Sequence, residues 1–122
     1  MKVYYSHAIP LYGTIIEKNE KEQILKNIPH AEIIDPGSYQ DNPEKRRGGM
    51  EYCLKLVEKC ETVVFSRFRD KITAGVGKEV NHAISRKISV YEIKKGKLVN
   101  VTKSVEHLSV LETIELPGYR KY

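Results

Sequence analysis

With two cysteines in 122 residues, no Cys-x-x-Cys pair and no paired His/Cys spacing, the chain has no basis for a disulfide framework or a structural zinc site. Cys53 and Cys60 stand seven positions apart on a segment that reads as one helix. That puts them about 10 Å from each other, too far for a disulfide. Both are expected to be small buried thiols in a reducing compartment. No apolar run approaches the ~20 residues of a spanning helix, and residues 1–6 lack the apolar core of a signal peptide. A cytoplasmic protein with no membrane partner is the expectation. Internal repeats, low-complexity tracts and linkers are absent as well, so the chain reads as one domain over residues 1–122.

What is present suits a folded domain: 40% hydrophobic residues, 30% charged residues and a net charge of +5. The Lys and Arg surplus favours anionic partners, but it is scattered, and no exposed aromatic row or recognition-helix motif accompanies it. A solvated basic surface is the simpler reading, and nucleic acid is not the favoured partner. The one compact basic cluster is Lys45-Arg46-Arg47, just before Gly48-Gly49.

Taken in order, residues 2–6 are short, aromatic and β-branched, as a first strand is. Residues 12–27 carry Glu17/Lys21 and Glu22/Lys26 pairs in the favourable helical order, with Ile16, Ile24 and Ile28 as the docking face. A second strand over residues 31–34 ends in the turn residues Asp35-Pro36-Gly37, and residues 38–49 read as a functional loop. Met50, Cys53, Leu54 and Val57 recur at i, i+3, i+4 and i+7, which predicts a helix over residues 49–59. A buried strand over residues 62–65, a charged loop at 67–71 and a helix opening near Gly75 follow. A strand over 88–93 then turns tightly at 94–97 into a strand over 98–101. Thr102 or Ser104 is expected to cap a last helix reaching Leu116, stopped by Pro117-Gly118. Alternating strands and helices of this kind predict an α/β open sandwich of three layers on a mainly parallel sheet, flavodoxin-like or Rossmann-like.

In such sheets ligands bind beyond the carboxyl ends of the strands. That rule gathers Ser6, His7, Tyr12, Asp35, Tyr39 and Glu79, with Gly75 and Gly77 allowing close backbone approach to a ligand. A helix beginning near Gly75 would place Glu79 in its first turn, where the dipole favours an ionised carboxylate. At the border of the Val76/Val80/Ala83 face, Glu79 can point into a cleft, and a shielded carboxylate is a competent nucleophile toward a sugar carbon. The plainer alternative is an ordinary helix-starting acid. His7 is a candidate phosphate holder or proton donor, or else a satisfied loop histidine, while His82 reads as a surface or packing residue. Arg46 and Arg47, beside two glycines, form a candidate phosphate site. Two glycine motifs fail: Ile72 stands where a phosphate loop needs its first Gly, and Val80 stands where a dinucleotide fingerprint needs its third.

The strand Val3-Tyr-Tyr-Ser6, the strand end Ile34-Asp-Pro36, the run Cys60-Glu-Thr-Val-Val-Phe65 and the stretch Gly75-Val-Gly-Lys-Glu79 with Ala83 together resemble the nucleoside 2-deoxyribosyltransferase-like superfamily. The likeness spans roughly residues 2–91. It implies cleavage or transfer at the N-glycosidic bond of a nucleoside or nucleoside 5′-monophosphate, with Glu79 attacking the sugar C1′ and residues 6–12 contacting sugar or base. It also implies a homo-oligomer, and no metal or organic cofactor is expected. A non-catalytic nucleotide-binding or sensing module on the same fold is the alternative.

Overall fold

The structure is a computed structural model that describes residues 1–39 and 41–119, without the side chains of Lys45 and Arg46. Its centre is a five-stranded sheet in the order β2-β1-β3-β4-β5. Strands β1 (Lys2–Ser6), β2 (Glu32–Ile34), β3 (Thr62–Phe65) and β4 (Ser89–Lys94) run parallel, and β5 (Lys97–Val101) returns antiparallel along β4. The turn between β4 and β5 puts Lys95 and Gly96 at positive φ, as a two-residue hairpin requires. Helices α1 (Ile15–Asn27), α3 (Met50–Glu58) and α4 (Ala74–Ser85) fill the three crossovers.

The two faces of the sheet bury different sets of side chains. Tyr4, Val63, Phe65 and Val90 meet Val57 of α3 and Val76, Val80 and Ala83 of α4 in the larger core. Val3, Tyr5 and Val64 meet Ile24 of α1 on the opposite face. The period of two along β1 therefore sends Tyr4 and Ser6 to one side and Val3 and Tyr5 to the other. Each fully buried Val or Phe side chain contributes about 1.5–3 kcal/mol, so the larger core is the main anchor for α4.

Several sequence expectations change. Helix α1 starts at Ile15, not Tyr12, and Ile16 is exposed. Its inward stripe is Glu17, Glu20, Lys21, Ile24 and Ile28, polar in the first half and apolar only in the second. Residues 38–49 are not an open loop: a 3-10 turn (Pro36–Tyr39) and helix α2 (Pro43–Gly48) occupy most of them. The last helix, α5 (Val110–Ile114), begins well after Thr102 and Ser104. Ser109 caps it in a reciprocal capping box with Glu112, and residues 102–108 lie along α4 in irregular conformation. Asn81 holds them there, donating to Val105 O and accepting from Val105 N. Among the described residues no helix is long and apolar enough to cross a membrane.

Candidate functional site

The site forms where the carboxyl end of β1 meets the flank of α4. Glu79 is the sixth residue of α4, so it stands in the second turn and not the first. The leading amide, Ala74 N–H, donates to Thr113 Oγ1 at 2.9 Å. Two hydroxyls from the strand hold the carboxylate. Tyr4 donates to Glu79 Oε2 at 2.7 Å and Ser6 donates to Glu79 Oε1 at 2.6 Å. Burial raises the Tyr4 phenol well above its usual range, with the Glu79 charge acting in the same direction. It therefore stays protonated and remains a donor.

Glu79 is 5% exposed, and it lines a cavity of about 220 Å³. The walls are mostly apolar: Ile9 and Tyr12 from the loop after β1, Met50 and Cys53 from α3, Val76 from α4, and Tyr119 near the chain end. Phe68 meets Tyr119 edge-on at 6.0 Å between ring centres and so helps to place it. Burial also raises the Tyr12 phenol above its ordinary range, the Glu79 carboxylate contributing next. Each Glu79 oxygen accepts one hydroxyl from β1. The arrangement is an acceptor-only group held in place beside a small, largely apolar space.

Not every expected site residue joins Glu79. Ser6, His7, Tyr12 and Gly75 do. Asp35 belongs to a second cluster, where it accepts from Gly37 N–H at 2.8 Å and pairs with Lys21 at 2.5 Å. Tyr39 lies against Tyr52 in a separate cavity with Lys2, Ile34 and Cys60. Gly77 does not open a path for ligand: a Cβ there would fall 2.1 Å from Cγ of His107, so its lack of a side chain makes room for the strap at residues 105–108. Arg47 lines another cavity, with Glu51, Tyr52 and Lys55, and the Arg46 side chain lies outside the described residues. His82 pairs with Glu58 at 2.7 Å on the surface. Both cysteines are buried and neither is in a disulfide, and burial pushes the Cys60 thiol up to about 11.

Sequence reasoning missed Tyr4, the second hydroxyl on Glu79, although the alternation in β1 puts it on the Ser6 side. It also missed Met50, Cys53 and Tyr119 as cavity walls, because contact between α3, α4 and the chain end has no local sequence signal. Comparison with protein-family models, with curated proteins and with solved structures finds no match in any of the three.

Proposed function

We propose that the protein cleaves, or transfers at, the N-glycosidic bond of a nucleoside, with Glu79 as the nucleophile. The observation that carries this reading is a buried carboxylate fixed by two hydroxyl donors at the wall of a small, mostly apolar cavity. One Glu79 oxygen would form an ester bond to the sugar C1′ as the C1′–N bond breaks, and the bonding pair would leave with the base and take up a proton. Water, or a second base, would then attack C1′ and release Glu79. Tyr4 and Ser6 keep the carboxylate from rotating, which saves orientation entropy at the reacting centre.

The cavity is smaller than the ~300–1,000 Å³ of sites for drug-sized ligands, so it suits one sugar or one base. Its described lining holds no Lys or Arg, which supports a neutral nucleoside ahead of the 5′-monophosphate. The parallel order β2-β1-β3-β4 reverses its winding between β1 and β3, which supports a flavodoxin-like reading, and the loop after β1 contributes to the cavity wall. The resemblance to deoxyribosyltransferase-like proteins adds a homo-oligomer in which a second subunit helps to close the site. Ile9, 55% exposed at the cavity wall, suits such a contact.

A second reading has its own support. Both Glu79 oxygens already accept a hydroxyl, as a purely structural glutamate would, and this favours a non-catalytic nucleotide-binding or sensing module. Incubation with a panel of nucleosides and 5′-monophosphates, followed by chromatography for free base, separates the two. Base release by the wild type and none by Glu79→Gln is the catalytic outcome. Ligand-induced thermal stabilisation with no release from any substrate is the binding-module outcome.

A further inference from the structure

On the α1 face of the sheet, behind the end of β1, three side chains from three elements converge. His7 comes from the loop after β1, Glu17 from the start of α1 and Asp35 from the end of β2, and their ligand atoms all lie within 4.8 Å of one another. The His7 ring is fully buried and stacks on Tyr5, with centres 3.8 Å apart and planes within 4°. Its Nδ1 lies 3.1 Å from Tyr5 O, an acceptor, so Nδ1 carries a proton and donates it. In the neutral ring Nε2 then holds the lone pair. That nitrogen faces Glu17 Oε2 at 2.7 Å and Asp35 Oδ1 at 3.8 Å.

A lone pair and two carboxylate oxygens brought this close together favour a cation among them. Lys21 does not supply it, because its ammonium approaches the opposite oxygens, Asp35 Oδ2 at 2.5 Å and Glu17 Oε1 at 3.9 Å. A second proton on His7 would bridge to Glu17 alone, since 3.8 Å is beyond hydrogen-bond reach of Asp35. We infer that His7, Glu17 and Asp35 bind one divalent transition-metal ion, such as Zn²⁺ or Mn²⁺. Tetrahedral ligation at Zn–N and Zn–O distances near 2.05 Å would hold the ligand atoms roughly 3.3 Å apart. That value lies between the two separations measured from Nε2, so along those lines Glu17 needs to move away from the ring and Asp35 toward it, each by about 0.5 Å. An imidazole with two carboxylates suits zinc, manganese or iron better than calcium or magnesium. The backbone carbonyl behind Nδ1 is the usual outer support of a ligating histidine. Lys21 is the movable part: its side chain is 34% exposed and can swing to solvent as the ion enters. Because the His7 ring lies 4.8 Å from that of Tyr12, an occupied site would also brace one wall of the Glu79 cavity.

Equilibrium dialysis of chelator-stripped protein against Zn²⁺, and separately Mn²⁺, with metal counted by mass spectrometry, tests this. The wild type should take up one equivalent and gain thermal stability. His7→Ala should weaken binding by more than about 100-fold, the upper range for losing a mere outer-shell partner. Lys21→Met, which keeps all three ligands, should bind at least as tightly as the wild type. Should His7→Ala fail to fold, nitrogen-detected NMR of the wild type gives the answer without a variant: Zn²⁺ should shift Nε2 of His7 and leave His30, His82 and His107 unmoved. Metal uptake no greater than the blank, uptake unchanged in His7→Ala, or a response confined to another histidine would each overturn the assignment.

Discussion

At the residue scale the structure turns on how Glu79 is held. Tyr4 and Ser6 each donate a hydroxyl to this buried carboxylate, and hydrogen bonds to a charged group contribute about 1.5–3 kcal/mol each. Tyr4→Phe keeps the ring packing and removes one donor, so it should lower unfolding free energy by about 1.5–3 kcal/mol in a urea titration. Glu79→Gln should reduce base release at least about 1,000-fold while leaving thermal stabilisation by ligand in place, if the carboxylate is the nucleophile. Cys60 provides a separate check on burial. Its folded-state value of about 11 is raised above the ordinary 9.0, so the folded form retains the thiol proton longer than the unfolded chain does. This contribution to stability is complete below pH 9 and is lost as pH rises toward 11. Cys60→Ala should flatten that part of the stability–pH curve.

At the scale of elements, α1 and α4 show two ways in which a helix acquires an inner face. The inner face of α4 follows the 3.6-residue rule, and its Val76, Val80 and Ala83 stripe was readable from spacing alone. Helix α1 docks its first half through polar groups. Glu20 accepts from the Tyr5 hydroxyl at 2.5 Å and from Ser66 at 2.8 Å, and Glu17 and Lys21 bind the His7 and Asp35 cluster. Hydrophobic periodicity cannot report such a face, which is why Ile16 was wrongly placed inward. The strap at residues 102–108 illustrates the same limit, since it is anchored by the Asn81 side chain of α4 and by Leu108 N–H donating to Ile72 O. Gly77 makes the strap testable. Gly77→Ala forces the new Cβ into the His107 ring and should cost about 1–3 kcal/mol by overpacking. In a Gly77→Ala, His107→Gly double variant the clashing ring and Cβ atoms of His107 are gone, and the better helix propensity of Ala at position 77 should recover most of that loss. Equal instability of the single and double variants in chemical denaturation would show that the contact is not the cause.

For the whole molecule, one sheet separates two cores, and β1 contributes to both through Tyr4 on one side and Val3 and Tyr5 on the other. Neither core persists once β1 is withdrawn, so unfolding should be a single cooperative transition. Far-ultraviolet circular dichroism and tyrosine fluorescence should give superimposable denaturation curves. Two separated midpoints would mean that the α1 side melts first. The Glu79 cavity and the His7 cluster share His7, whose ring stands beside that of Tyr12, so a change in one is felt by the other.

Strand and helix order, the parallel sheet and the prominence of Glu79 were open to sequence reasoning, because period-two and period-3.6 patterns and turn residues are local properties of the chain. β3 was bounded correctly to the residue, and the thiols were rightly read as buried and not joined in a disulfide. The surroundings of Glu79 were decided by tertiary structure. A hydroxyl from Tyr4, 75 positions away in the chain, a wall from Tyr119 and the convergence of His7, Glu17 and Asp35 depend on which strand ends adjoin which helix flanks. Sequence spacing assigned Glu79 to a helix dipole; three-dimensional packing gave it two hydroxyls, because α4 opens at Ala74 and carries Glu79 in its second turn, beside β1.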